Sequence, residues 1–159
     1  MDLKLLMELE DLKENHKNAY FELRSLRDEG LNEYIKQSKQ DFIKYFADIG
    51  FSRDNTGHAI TMRYKGIKAT LTTDNDILRF DMKPGTLNLI RINEVCDESL
   101  PTHVSDTMPI EQRINHEKNA IAKLQKLIIN FTPCKYFMTI DNQHKQYDTL
   151  IEIIEHLVK

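Results

Sequence analysis

Two changes of hydrophobic period predict an α+β fold for this chain of 159 residues. Apolar residues recur in steps of three and four up to Ile49, then at every second position between Phe51 and Asn93, and then again at helical spacing. We therefore expect a long N-terminal helix or a helical hairpin, an antiparallel meander of four to five strands, and a helix–strand–helix ending. The expected domains are a helical arm over residues 1–49 and an α+β domain over residues 50–159, whose sheet is covered by the C-terminal helices.

The first thirty residues carry an unbroken heptad pattern, which is typical of a coiled-coil seam. Two pairs of opposite charge, Glu8 with Lys13 and Glu22 with Arg27, occupy the g and following e positions, as in a parallel dimer. We therefore expect a homodimer, with a hairpin inside the chain and pairing with a different protein as the alternatives. The predicted seam consists of Leu5, Leu9, Leu12, His16, Ala19, Leu23 and Leu26.

Two glycines mark possible ends in this helical region. At Gly30 the heptad is interrupted, and a second heptad begins one residue out of phase at Leu31. This skip predicts either the end of the first helix near Asp28 or a kink in one continuous helix. Gly50 predicts a helix end in the left-handed conformation, with Phe51 folding back as a hydrophobic contact.

Alternation of apolar and polar residues predicts the strands of the meander. Residues that favour turns separate them at 54–57, 65–66, 74–76 and 84–85. Because short turns join antiparallel neighbours, we expect a sheet with one buried face and one solvent-exposed face. The side chains expected on the exposed face are Arg63, Lys68, Thr70, Thr72 and Arg79.

The last third of the chain begins with an acidic segment. Residues 94–108 follow neither period and contain four acids and no base, which predicts a long loop. We expect Pro109 to open a helix that ends before Pro133, and a short strand to follow. Asp141 is expected to cap a final helix, with Tyr147 on its apolar face.

Several functional classes are disfavoured by composition and motifs. No apolar run is long enough to span a bilayer, so we expect a cytoplasmic protein without a membrane segment. Cys96 and Cys134 lie far apart without a CxxC partner, and reduced thiols are the expectation. The chain has no catalytic motif, no phosphate-binding glycine loop and no histidine spacing typical of metal ligands. We therefore expect no enzymatic activity, no cofactor and no metal.

Protein binding is the predicted function, in the role of an adaptor, carrier or inhibitor. The alternative is nucleic-acid binding, because residues 34–93 hold ten bases and six acids within a chain of net charge −3. That excess is small. The aromatic residues that could stack on nucleobases, Tyr64 and Phe80, are placed by alternation on the buried side of the sheet, opposite the basic side chains. The residues predicted to bind a partner are Arg63, Lys68 and Arg79 of the sheet and Asp97, Glu98 and Asp106 of the acidic loop.

Overall fold

The computed structural model describes residues 2–54, 57–96, 99–102 and 105–159. It confirms an α+β fold with a long N-terminal helix, an antiparallel sheet and C-terminal helices. The elements, in chain order, are α1 (Leu3–Asp48), β1 (Ser52–Asp54), β2 (Ile60–Tyr64), β3 (Ile67–Asp74), β4 (Ile77–Lys83), β5 (Leu87–Val95), α2 (Ile110–Ile129), β6 (Lys135–Ile140) and α3 (Leu150–Val158).

The chain forms two compact units, and their boundaries differ from the predicted division at residue 49. The helical unit comprises Met1–Gly30 and Cys96–Cys134, and the sheet unit comprises Leu31–Val95 and Lys135–Lys159. The difference arises because α1 contributes its first part to one unit and its second part to the other. In addition, the residues of α2 belong to the helical unit.

Helix α1 is continuous over 46 residues, which excludes the helical hairpin, and Gly30 lies inside it. The predicted end at Gly50 is confirmed, with a φ of 103°. The Gly50 N–H donates to the carbonyl of Ala47 at 3.1 Å, and the Phe51 N–H donates to the carbonyl of Phe46 at 2.9 Å. These two bonds form a Schellman motif, and the rings of Phe46 and Phe51 lie 5.0 Å apart, as the sequence predicted.

The sheet has six strands in the order β1 to β6, each antiparallel to the next. This is slightly more than the four to five predicted for the meander. The short strand predicted after the second helix is β6, and it joins the sheet by pairing with β5. The strand at the other edge, β1, is only three residues long. Tight turns set the register elsewhere, since Tyr64 lies opposite Ile67 and Asp74 lies opposite Ile77.

One face of the sheet is buried and carries the core of the sheet unit. Leu71 of β3 and Phe80 of β4 are each 1% exposed, and they share this core with Phe42 of α1 and Ile153 of α3. The rings of Phe42 and Phe80 meet edge to face at 6.0 Å. We call the opposite side of the sheet, formed by the alternate strand residues, the outer face.

The final helix begins later than predicted. Its N-cap is Thr149, whose Oγ1 accepts a hydrogen bond from the Glu152 N–H at 3.4 Å, so the prediction of Asp141 as the cap was wrong. The intervening residues return along β6 instead, and Tyr147 exchanges two backbone hydrogen bonds with Met138. Tertiary strand pairing therefore takes Tyr147 out of the helical pattern to which its spacing assigned it.

The helical unit buries the heptad side of α1 against α2. Ala19 and Leu23 of α1 form a buried cluster with Leu124 of α2. Beside this cluster, His16 Nδ1 lies 2.6 Å from Glu117 Oε2, and both residues are 2% exposed. These contacts make the two helices partners within one chain.

Cys96 and Cys134 form a disulfide, so the expectation of reduced thiols was wrong. The spacing of 38 residues concealed the pair, because the fold alone brings their Cα atoms to 4.5 Å. Disulfides are typical of oxidising compartments, and the cytoplasmic location stays a prediction. Within the described residues, no helix combines the length and the apolar character needed to cross a membrane.

Candidate protein-binding surface

The outer face brings together the three basic residues that were predicted to bind a partner. Arg63 of β2 lies directly opposite Lys68 of β3, and Lys68 lies opposite Lys83 of β4. Arg79 of β4 lies opposite Thr72 of β3, and Thr72 shares its face with Lys68. Strand register, rather than sequence proximity, therefore places these side chains on one surface.

The outer face carries an excess of positive charge. Two of its three carboxylates are engaged locally, since Asp54 pairs with Arg63 at 2.9 Å and Asp81 lies 3.9 Å from Lys83. The third carboxylate is Asp74. By register, six basic residues share this face: Arg63, Lys68, Arg79, Lys83, Arg91 and Lys135.

Four of these cations have no ion-pair partner among the residues that the structure describes: Lys68, Arg79, Arg91 and Lys135. Their charges are therefore available to an anionic group from outside the sheet. Because they lie on four different strands, the positive field extends across the surface rather than concentrating at one point.

Apolar side chains lie between the cations. Leu87 is 53% exposed and Val95 is 48% exposed, and Ile77, Leu89 and Phe137 are half-buried. None of the five belongs to the core cluster or packs on it within the described part of the chain. Strand pairing sets Leu89 opposite Arg79 and Ile77 opposite Arg91, so apolar and basic groups alternate at the centre of the face.

The edges of the sheet are less suited to a partner than its outer face. The β1 edge is only three residues long. At the other edge, the backbone of Met138 in β6 is already bonded to Tyr147, at 2.7 Å through its N–H and 2.8 Å through its carbonyl. A very short edge, and an edge whose middle residue is already paired, are less open to the addition of a strand from another chain. We therefore locate the candidate surface on the face.

Of the three acidic residues predicted for the same surface, the structure describes only Asp106. Asp106 belongs to the helical unit, where its Oδ1 accepts a hydrogen bond from Arg113 at 3.2 Å. Asp97 and Glu98 lie outside the described residues. The prediction for these two acids is therefore untested.

Sequence reasoning missed Leu89 as a member of the surface. The run from Thr86 to Asn93 contains two alternating apolar sets, one beginning with Leu87 and the other with Ile90. Only the set of Ile90 is buried, because the pairing of β5 with β4 decides which set faces the core. The presence of two sets was the signal that β5 has an apolar outer side.

Part of the predicted dimer seam is buried within the chain. Leu9, His16, Ala19 and Leu23 are at most 8% exposed in the helical unit. The remaining three, Leu5, Leu12 and Leu26, are half-buried. The homodimer stays a prediction, and pairing through the whole seam would require α2 to separate from α1.

The aromatic residues considered for base stacking lie on the buried side of the sheet. Phe80 is 1% exposed, and Tyr64 contacts Phe51 with a ring separation of 5.7 Å. Among the described strand residues, Phe137 is the one aromatic side chain on the outer face. The face therefore has cations for phosphates but lacks the row of exposed rings that single-strand binding typically uses.

Comparison with known proteins returned no match to any protein-family model, curated protein or solved structure.

Proposed function

We propose that this chain is a non-enzymatic protein-binding module whose outer sheet face docks on an acidic surface of another protein. The observation that carries the proposal is the mixture, on one face of the sheet, of apolar side chains and cations that form no ion pair with the described residues. A module of this kind acts by occupying a surface of its partner, as an adaptor, carrier or inhibitor does.

The composition of the outer face supports this proposal. Protein interfaces combine an apolar centre with a polar rim, and arginine is enriched in them. Leu89, Ile77 and Phe137 supply the centre, while Arg79 and Arg91 lie beside it. With strands about 4.8 Å apart, six strands span roughly 24 Å, which is wide enough for a specific interface.

Charge indicates the chemistry of the partner. Six basic residues against three acidic ones favour a surface rich in aspartate and glutamate, and complementary charge accelerates association. Nucleic acid is the alternative anionic partner. We favour protein because the centre of the face is apolar and its exposed aromatic content is low.

The test compares the wild type with a charge-reversed face. The double variant Arg79→Glu/Arg91→Glu changes two exposed residues that form no described ion pair, so we expect it to fold normally. We expect the immobilised wild type to retain a protein whose affinity, measured again with the purified partner, falls about tenfold or more in the variant.

Lys36→Glu is the matched control, since Lys36 is exposed on α1 in the same unit and forms no described ion pair. It should bind the purified partner within about twofold of the wild type. Equal binding by the wild type and the double variant would contradict the proposed surface. Loss of all captured material on nuclease treatment would replace the proposal with the nucleic-acid alternative.

A further inference from the structure

The helical unit contains a pocket that the proposed function does not use. It lies between the first half of α1 and the start of α2, with a volume of about 640 Å³, and Pro101 and Asp106 also line it. This volume is in the range of small-molecule sites, roughly 300–1,000 Å³. The apolar part of its wall comes from Leu9, Tyr20 and Phe21.

A largely buried guanidinium lines this pocket. The side chain of Arg113 is 16% exposed, and its one described hydrogen bond is donated by an Nη to Asp106 Oδ1 at 3.2 Å. Arginine has five N–H donors in a planar fork. Four of them therefore make no hydrogen bond within the described part of the chain.

The guanidinium nitrogens of Arg113 that make no described hydrogen bond are not fully buried. Among the described residues, Tyr147 Oη in the sheet unit is the one fully buried side-chain polar atom without a hydrogen bond. Nε and Nη1 of Arg113 make no described hydrogen bond and are not among such atoms, so they are not fully buried, and Arg113 lines the pocket. A guanidinium in this setting favours a planar anion that accepts two parallel hydrogen bonds.

An anion bound to Arg113 would replace the carboxylate of Asp106. Its side chain is 90% exposed, so it can leave Arg113 for water at little cost. A second cation, Lys17, also lines the pocket and lies 5.8 Å from the centre of the Phe21 ring. The wall thus combines positive charge with exposed aromatic surface, since Phe21 is 55% exposed.

The floor of the pocket includes the buried pair of His16 and Glu117, whose contact of 2.6 Å holds α1 against α2. This pair holds the backbone of α2 against α1 one turn after Arg113, so the start of the site does not depend on a ligand for its assembly. A preformed site of this kind lowers the entropic cost of binding.

We propose that this pocket binds a small amphipathic carboxylate. The carboxylate accepts two hydrogen bonds from Arg113 in place of Asp106, and the apolar body packs on Tyr20 and Phe21. The site is separate from the outer face of the sheet, so it stands or falls independently of the proposed protein binding.

The experiment measures the affinity of the full chain for 4-phenylbutyrate and for the uncharged 4-phenylbutan-1-ol by calorimetry. We expect the carboxylate to bind about tenfold more tightly than the alcohol, because only the carboxylate engages the guanidinium. In Arg113→Met, the affinity for the carboxylate should fall to the affinity for the alcohol. The affinity for the alcohol should change by less than about twofold.

Two further variants complete the test. Phe21→Ala truncates an exposed ring, so the fold should be retained. The affinities for both compounds should fall by the same factor, because both pack on this ring. Lys123→Met removes an equal charge from an exposed position of α2 outside this pocket and should change neither affinity. Equal affinity for acid and alcohol in the wild type, absence of binding by both, or an unchanged affinity in Arg113→Met would overturn the proposal.

Discussion

At the scale of single residues, the pair formed by His16 and Glu117 explains two irregularities in the sequence. His16 is a polar residue at a seam position of the heptad of α1, and Glu117 is a polar residue within the apolar pattern of Ile110, Ile114, Ile121, Leu124 and Ile128 in α2. Each residue alone weakens a seam, but together they satisfy one another at 2.6 Å in a buried position. Two helices with one polar residue each in an apolar seam are candidates for pairing within a chain.

Tyr34 gives a prediction for alkaline pH. Its Oη donates to the carbonyl of Asp148 at 2.8 Å, and burial, together with the charges of Asp148, Glu152 and Asp41, raises its pKa from 10.0 to about 12. The folded state therefore holds this proton more tightly than the unfolded chain. The resulting stability is fully present below about pH 10 and is lost as the pH rises towards 12.

Comparison with Tyr34→Phe isolates this effect, because phenylalanine keeps the ring and cannot ionise. At pH 8 we expect the variant to be less stable by about 1 kcal/mol, the usual contribution of one hydrogen bond. Between pH 10 and 12, the free energy of unfolding should fall more steeply for the wild type than for the variant. Urea titrations at several pH values measure both slopes, and parallel slopes would contradict the shifted pKa.

At the scale of elements, local patterning predicted where helices and strands form better than it predicted which segments pair with one another. The end of α1 at Gly50 follows from the glycine and Phe51, which act within one helical turn. The start of α3 could not be found in the same way, because backbone pairing of Tyr147 with Met138 prevents the earlier start that Asp141 suggested. Long-range hydrogen bonds overrode a local capping signal there.

The buried seam of α1 leads to a second prediction. Leu23 is 1% exposed beside Leu124, so Leu23→Glu places a carboxylate in an apolar cluster. We expect the free energy of unfolding to fall by about 3–5 kcal/mol, as for severe core substitutions. Leu26→Glu, three residues further along the same helix and only half-buried, should cost less than about 1 kcal/mol.

Urea unfolding followed by circular dichroism measures these energies, and light scattering measures the mass of each variant. If α1 pairs mainly within the chain, Leu23→Glu lowers stability at unchanged mass. A wild-type dimer that becomes a folded monomer in Leu23→Glu would contradict this interpretation and establish the predicted homodimer seam.

At the scale of the whole molecule, the disulfide closes the segment that carries α2. Cys96 and Cys134 are the first and last residues of the second segment of the helical unit. The bond therefore fixes both ends of a segment that contains α2 and the loop before it. Such a crosslink stabilises chiefly by restricting the unfolded chain.

We expect the variant Cys96→Ser/Cys134→Ser to unfold with a free energy about 3–4 kcal/mol lower than the oxidised wild type, given a loop of 38 residues. A thiol-free reductant should lower the free energy of unfolding of the wild type to that of the variant. The same reductant should leave the free energy of unfolding of the variant unchanged. The chain has two cysteines, so two reactive thiols in the denatured, unreduced wild type would contradict the disulfide.

The sequence by itself determined the fold class, the end of α1, the antiparallel meander and the placement of Arg63, Lys68 and Arg79 on one face. These features depend on hydrophobic period and turn residues, which act over a few neighbouring positions. Only the tertiary structure decided that α1 pairs with α2, that Cys96 meets Cys134, and that Arg113 lines a pocket. Each of these contacts joins residues distant in the chain, whose approach depends on the packing of whole elements and leaves no local pattern.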